Sequence, residues 1–165
     1  LIDMKLLALL LMLSACAVYP QSDAVRGVAR AELIPGAVRP SNIYELEHTI
    51  EAYDCLGGWS HQFKNLADYA VKTGKMVRWH GNVFSACTVM ADRIRDKGGN
   101  QCLVSNRVNF GYHQARDNAG NYSSNISYRD DTKAWIKKQG GMKKGNNLLI
   151  MKGAELLKFY KMCNG

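Results

Sequence analysis

Ser85 and His113 are the two residues whose types and placement fit them for covalent chemistry. The run Gly81-Asn82-Val83-Phe84-Ser85-Ala86-Cys87-Thr88 sets a serine at an expected helix start, and Phe110-Gly111-Tyr112-His113 sets a histidine at an expected strand end. A hydroxyl is a weak nucleophile at neutral pH, and an imidazole within reach activates it by taking its proton. Upstream, Gly57-Gly58 is a turn whose amides, free of any Cβ, can point outward and hold a developing oxyanion. Each piece also has an ordinary reading. Serine commonly caps helices, a histidine at a strand end can be simply buried, and Gly-Gly makes tight turns. The order of the three along one chain is what points to acyl transfer.

The elements that must position them read as follows. Phe63, Leu66, Ala67, Ala70 and Val71 recur at helical spacing, with Gly74 as the stop. Lys75 to His80, with Val77 and Trp79, predicts a strand running into a turn at Gly81. Ala86, Val89, Met90 and Ile94 mark a second helix ended by Gly98-Gly99. Cys102 to Val104 and the alternating Val108-Phe110-Tyr112 are expected strands. Ile43 to Tyr53 fits a strand with a helix-like tail, and the pattern does not separate the two. Arg116 to Ser127 reads as a polar loop. Asp130-Asp131-Thr132 is expected to cap a helix through Trp135 and Ile136, Leu148 to Met151 to form a short strand, and Ala154 to Met162 a last helix. Strands alternating with helices predict an α/β fold with a largely parallel sheet.

The chain has 165 residues, 47% hydrophobic and 22% charged, enough for one domain with its own core. Met4, preceded by Leu1-Ile2-Asp3, reads as the start of a signal peptide. Lys5 is its basic residue, and Leu6 to Leu13 is an apolar run too short to span a bilayer but long enough for a signal core. The run ends in Leu13-Ser14-Ala15-Cys16, a pattern that resembles the bacterial lipobox and implies lipid attachment at Cys16. Ordinary cleavage after Ala17 is the rival. The expected organisation is a signal peptide over 1–15, a tether over 16–42 containing Pro20, Pro35 and Pro40, and a domain over 43–165. Ala17 after the cysteine implies the outer rather than the inner membrane, by analogy with lipoprotein sorting. The expected place is therefore the periplasmic side of a bacterial envelope, with a lipid anchor.

Export changes how charge and cysteine are read. Lys and Arg number 22 against 14 Asp and Glu, a formal net charge of +8. In an envelope this charge reads either as a solvated basic surface with no dedicated partner or as attraction for anionic polymers and lipid head groups; nucleic acid is not expected. Four cysteines remain beyond Cys16, which in an oxidising compartment predicts two disulfides. Cys87 and Cys102 flank one expected helix and the following strand, so they are paired here, leaving Cys55 with Cys163. No Cys-x-x-Cys or His-x-x-x-His spacing favours zinc, and nothing points to a metal, nucleotide or organic cofactor.

Taken together, Gly57-Gly58, the Gly81-x-x-x-Ser85 turn and Arg107-Val108-x-x-Gly111-x-His113-Gln114-Ala115 resemble the ClpP/crotonase superfamily. Within it, the likeness is closer to small exported bacterial ClpP-like proteins carrying Ser-Ala-Cys-Thr. The resemblance covers about residues 55 to 115, with a weaker echo at Ala154-Glu155-Leu156. It implies a fold of repeated β-β-α units and a peptidase acting by acyl transfer on a peptide or protein. Ser85 then matches the nucleophile and His113 the general base, with the amides of Gly58 and Ala86 as oxyanion donors. Phe84 and Leu56 depart from the family pattern. So does the segment Lys143-Lys144-Gly145-Asn146-Asn147, where an aspartate is expected. Asn146 is the candidate third member there, with Asn147 beside it; Asp117 and Asp131 lie farther off. Cys87 is a rival nucleophile unless oxidised. Two further functions fit the same resemblance: a catalytically silent lipoprotein that binds or assembles, and a crotonase-like acyl-thioester enzyme, whose substrates are not expected outside the cytoplasm. Oligomeric state is open.

Overall fold

The computed structural model describes residues 42–117, 119–123 and 126–164. The expected signal segment, the expected lipid-attachment position Cys16 and the expected tether up to residue 41 lie outside them. The fold is mixed α/β. Strand β1 (Ile43–Glu45) and strand β2 (Thr49–Cys55) form an antiparallel hairpin, Ile43 opposite Ala52. This resolves the segment that the sequence pattern left undivided. Helix α1 (Ser60–Thr73) follows, then β3 (Met76–Phe84), α2 (Ala86–Asp96), β4 (Gln101–Leu103) and β5 (Asn109–Tyr112). A small β6–β7 hairpin (Ala115–Arg116 with Tyr122–Ser123) occupies the expected polar loop. Helix α3 (Asp130–Lys138), β8 (Leu149–Lys152) and the short α4 (Gly153–Leu156) complete the order. The last helix is much shorter than its apolar spacing suggests: Leu157 is exposed and the chain leaves in turns.

The main sheet has six strands in the order β1-β2-β3-β5-β8, with β4 also on β3. Its centre is parallel: β2 runs with β3, and β3 with both β4 and β5. Its edges are antiparallel, β1 on β2 and β8 on β5. The sheet is therefore mostly parallel, as expected, with an antiparallel strand at each edge. Strands β4 and β5 share one side of β3, pairing with its first half (Val77–Trp79) and its last rungs (Asn82–Phe84). The apolar faces of α1 (Phe63, Leu66, Ala67, Ala70) and α2 (Val89, Met90, Ile94) join Ile50, Val77, Trp79, Val83 and Phe110 in one buried cluster. Burying these side chains is the main term holding the sheet and the two helices together.

Two local departures follow from specific contacts. The expected turn at Gly81 does not occur, and β3 runs on to Phe84. Gly81 instead takes a positive φ of 65° inside the strand, opposite a bulge where Asp54 (φ 41°) interrupts the register between Tyr53 and Cys55. The Asp54 carboxylate accepts from the Asn82 amide at 2.9 Å, and a Cβ on Gly81 would strike it. Nor do Asp130, Asp131 and Thr132 supply a side-chain cap for α3. Arg129 holds the N-cap position, and its N–H donates to Asp92 Oδ2 on α2 at 2.5 Å. Asp130 and Asp131 sit in the first turn, where the helix dipole favours them.

The disulfides are Cys55–Cys87 and Cys102–Cys163, not the pairs expected from sequence. Cys87 opens α2 while Cys102 lies beyond its far end, paired in register with Arg78 near the start of β3. An 11-residue helix spans about 16 Å, and disulfide-linked Cα atoms lie within about 7 Å. Adjacency along the chain thus misled the pairing. Cys55, opposite Val83, is the cysteine that meets Cys87, with Cα atoms 6.0 Å apart. Cys163 reaches Cys102 because residues 161–163 pair with β4, Leu103 donating to Lys161 and Cys163 to Leu103. Structural disulfides of this kind form and persist in oxidising, extracytoplasmic compartments.

Peptide mapping without reduction is expected to recover Cys55 linked to Cys87; a Cys87–Cys102 linkage would contradict this topology. Replacing Cys102 and Cys163 by alanine opens a loop of sequence separation 61. The chain-entropy cost is about 4 kcal/mol, read as a lowered urea midpoint with an intact Cys55–Cys87 bridge.

Candidate active site

Parallel pairing brings the candidate residues to one edge. Strands β2, β3 and β5 all point the same way, so their carboxyl ends lie side by side. Gly57-Gly58 follow β2, Ser85 follows β3, and His113 follows β5. Phe84 and Gly111 are register partners, which puts Ser85 one residue and His113 two residues past a shared rung. Neighbouring strands are about 4.8 Å apart. Ligands of open α/β sheets gather at this edge.

Ser85 occupies a strained backbone position. Its φ is 57° and ψ −125°, one of two non-glycine residues with positive φ among those described. Such conformations cost of order 1–3 kcal/mol and persist only when the surroundings impose them. Here the Ser85 N–H donates to the Gly111 carbonyl at 2.9 Å. Its own carbonyl accepts from the Thr88 N–H at 3.0 Å and from Thr88 Oγ1 at 2.6 Å. Thr88 is fully buried and its hydroxyl meets the Tyr128 hydroxyl at 2.7 Å. Ser85 sits at the N-cap of α2, yet its side chain makes no capping hydrogen bond. The ordinary explanation for a serine here therefore does not account for its hydroxyl. A nucleophile presented on a sharp strand-to-helix turn is the device of several hydrolase folds.

The glycine corner lies directly over this turn. A Cβ on Gly57 (φ 98°) would fall 2.5 Å from Ser85 Cβ and 2.9 Å from its Oγ, so only glycine fits. The Cys55–Cys87 bridge staples the two sides together, two residues from Gly57 and two from Ser85. It also removes Cys87 as a nucleophile. The amides of Gly58 and Ala86 donate no backbone hydrogen bond among the described residues. Ala86 opens an 11-residue helix, where unpaired N–H groups and the dipole favour negative charge. Phe84, the bulky residue before the serine, is accommodated because Gly111 across the rung has no Cβ; one added there would fall 2.5 Å from the Phe84 ring.

His113 and Ser85 line the same cleft, of about 380 Å³, with Gly58, Ala86 and Lys64. No hydrogen bond joins the two side chains, and His113 Nδ1 is buried without a partner. Desolvation lowers the His113 pKa from its ordinary 6.5, and the Gly145 backbone partly opposes the shift. The imidazole is therefore neutral at pH 7 and able to accept a proton. The 143–145 segment is fixed beside it, Gln114 N–H donating to the Lys143 carbonyl at 2.9 Å.

Asn146 is exposed, and it is the backbone of its neighbour Gly145 that bears on His113. Asp117 is taken up by Asn121, whose N–H and side-chain amide both donate to it. Asp131 bonds Arg95 and the Thr132 N–H. No carboxylate lines the cleft among the described residues. The charged residues that do line it, Lys64 on α1 and Arg116 on β6, were not singled out from the sequence. Lys64 follows Phe63 of the apolar stripe and Arg116 comes three residues after His113, so helix phase and proximity to the histidine were the available signals. Compared with family models, curated proteins and solved structures, the chain matches none, and its functional reading rests on this geometry.

Gly57→Ala is expected to displace the Ser85 side chain and lower its reactivity toward a fluorophosphonate about 100-fold, with far-UV circular dichroism unchanged. Undiminished labelling would mean that the glycine corner does not govern the serine.

Proposed function

We propose that this chain is a ClpP-like serine hydrolase, a peptidase working by acyl transfer at the periplasmic face of a bacterial envelope. Its domain would be held there by a lipid on Cys16. The observation that carries the reading is the uncapped Ser85 hydroxyl, held at a strained strand–helix junction on the cleft that His113 also lines. In the reaction, Ser85 Oγ bonds to the scissile carbonyl carbon while His113 takes the hydroxyl proton. The C=O electron pair moves onto oxygen, and the amides of Gly58 and Ala86 hold that oxyanion. Collapse breaks the C–N bond, and His113 returns the proton to the departing amine. Water, deprotonated by the same imidazole, then releases the acyl group and restores Ser85.

A second reading is a catalytically silent lipoprotein that uses the same fold to bind or assemble. One observation favours it: among the described residues no carboxylate lines the cleft to orient His113, and loss of that partner alone costs a serine protease about 10⁴-fold. The first reading stands ahead because a positive-φ serine under a glycine lid has no structural use in the second.

Labelling of the purified domain by a fluorophosphonate probe decides between them. The expected result is covalent modification of Ser85, abolished in Ser85→Ala and slowed about 10²- to 10⁴-fold in His113→Ala. An unlabelled wild-type domain across pH 6 to 9 would favour the binding module. The labelling rate should also rise with pH through a midpoint below 6.5 and then level off. The sign follows from the base: protonated His113 cannot accept the serine proton, and burial keeps it neutral to lower pH than an exposed histidine. A midpoint above 7 would exclude His113 as the base.

A further inference from the structure

Resting on the hydrolase reading, we infer that the site selects peptides carrying a carboxylate next to the scissile bond, recognised by Lys64 and Arg116. Both residues line the cleft that holds Ser85 and His113, and no acidic residue lines it among those described. Elsewhere cations near the core are neutralised: Lys75 pairs with Glu45, Arg93 with Asp68, and Arg95 with Asp92. Lys64 and Arg116 form no ion pair with a described residue. A carboxylate arriving in the cleft therefore competes with no anion among the described residues.

Both cations are placed rather than loose. Lys64 stands one turn after Ser60 on α1, and both face the cleft. The Arg116 guanidinium lies 5.8 Å from the centre of the Tyr122 ring, and its Nη2 would be 3.2 Å from a Cβ on Gly120. The β6–β7 hairpin holds that arrangement, Asp117 N–H donating to the Asn121 carbonyl at 3.0 Å. A guanidinium backed by an aromatic ring keeps its fork open for bidentate contact with a carboxylate. An anion bound here lies beside His113 as well, where it also stabilises the imidazolium formed during acyl transfer. The substrate thus supplies negative charge that the described lining of the cleft lacks.

Two sources of carboxylate fit: an acidic side chain, or the α-carboxylate at a peptide's C-terminus. The test is protection of Ser85 from a neutral fluorophosphonate by four matched N-acetylated heptapeptide pools. They carry Asp and Glu or Asn and Gln, each with a free or an amidated C-terminus. Carboxylate-bearing pools are expected to protect at concentrations at least about tenfold lower than their neutral counterparts, as for loss of a charge-assisted contact. An advantage confined to the Asp/Glu pools assigns a side chain; one confined to free C-termini assigns the α-carboxylate. In Lys64→Glu with Arg116→Glu the preference for carboxylate-bearing pools should be lost. Each protein's labelling without peptide serves as its own reference. Equal protection by charged and neutral pools, no protection by any, or a preference that survives the charge reversal overturns the inference while leaving the hydrolase reading in place. Failure of wild type to label at all removes both.

Discussion

Everything at the candidate site depends on the backbone of Ser85 being held where an unassisted chain would not put it. A β-strand ends and a helix begins within one residue, and the reversal requires positive φ at a side chain that disfavours it. Three constraints act on it together. The Gly111 carbonyl receives its N–H, Thr88 takes its carbonyl from inside the helix, and Gly57 closes over its side chain. Each is tied to a different part of the fold: the parallel β3–β5 pairing, the buried Thr88–Tyr128 contact, and the Cys55–Cys87 bridge. Strain at one residue is thereby distributed over elements that the hydrophobic core already fixes.

That distribution gives the disulfides unequal roles. Cys102–Cys163 secures the chain's C-terminal segment on β4, remote from the cleft, and acts on global stability. Cys55–Cys87 joins the end of β2 to the first turn of α2, flanking both the glycine corner and the serine. Its effect is local as well: it holds the Gly57-Gly58 corner against the Ser85 side chain. The buried Asp92 plays a comparable part at lower cost. It accepts from Arg95, Thr132 and the Arg129 N–H, and so anchors α3 and the segment bearing Tyr128 against α2.

The parts of this structure that follow from periodicity were legible in the sequence. Helix α1 and its Gly74 stop, the apolar face of α2, and the alternation through β5 all appear where Phe63 to Val71, Ala86 to Ile94 and Val108 to Tyr112 point. So do the convergence of Gly57-Gly58, Ser85 and His113, because parallel strands necessarily place their carboxyl ends together. What was not legible depends on register and on contacts distant in sequence. The Asp54 bulge carries β3 through Gly81, and no local signal at Gly81 distinguishes a bulge from a turn. The cysteine pairing was misread because the length of α2 separates residues that are near in sequence. Lys64 and Arg116 meet only through the cleft, from a helix and a hairpin more than fifty positions apart.

The absence of a carboxylate from the cleft, among the described residues, changes how its remaining charges should be weighed. In a triad a carboxylate both orients the histidine and stabilises its protonated form. Among the described residues, what bears on His113 instead is the backbone of Gly145, next to the Gln114–Lys143 hydrogen bond, and neither carries charge. Desolvation meanwhile works against the imidazolium, and two cations share its cleft. Such a site is poor at forming a third positive charge unless something anionic accompanies the reactant. Under the proposed reading, the positive charge of the cleft and the lack of a third residue among those described are one problem, and a substrate bringing its own carboxylate would resolve both at once.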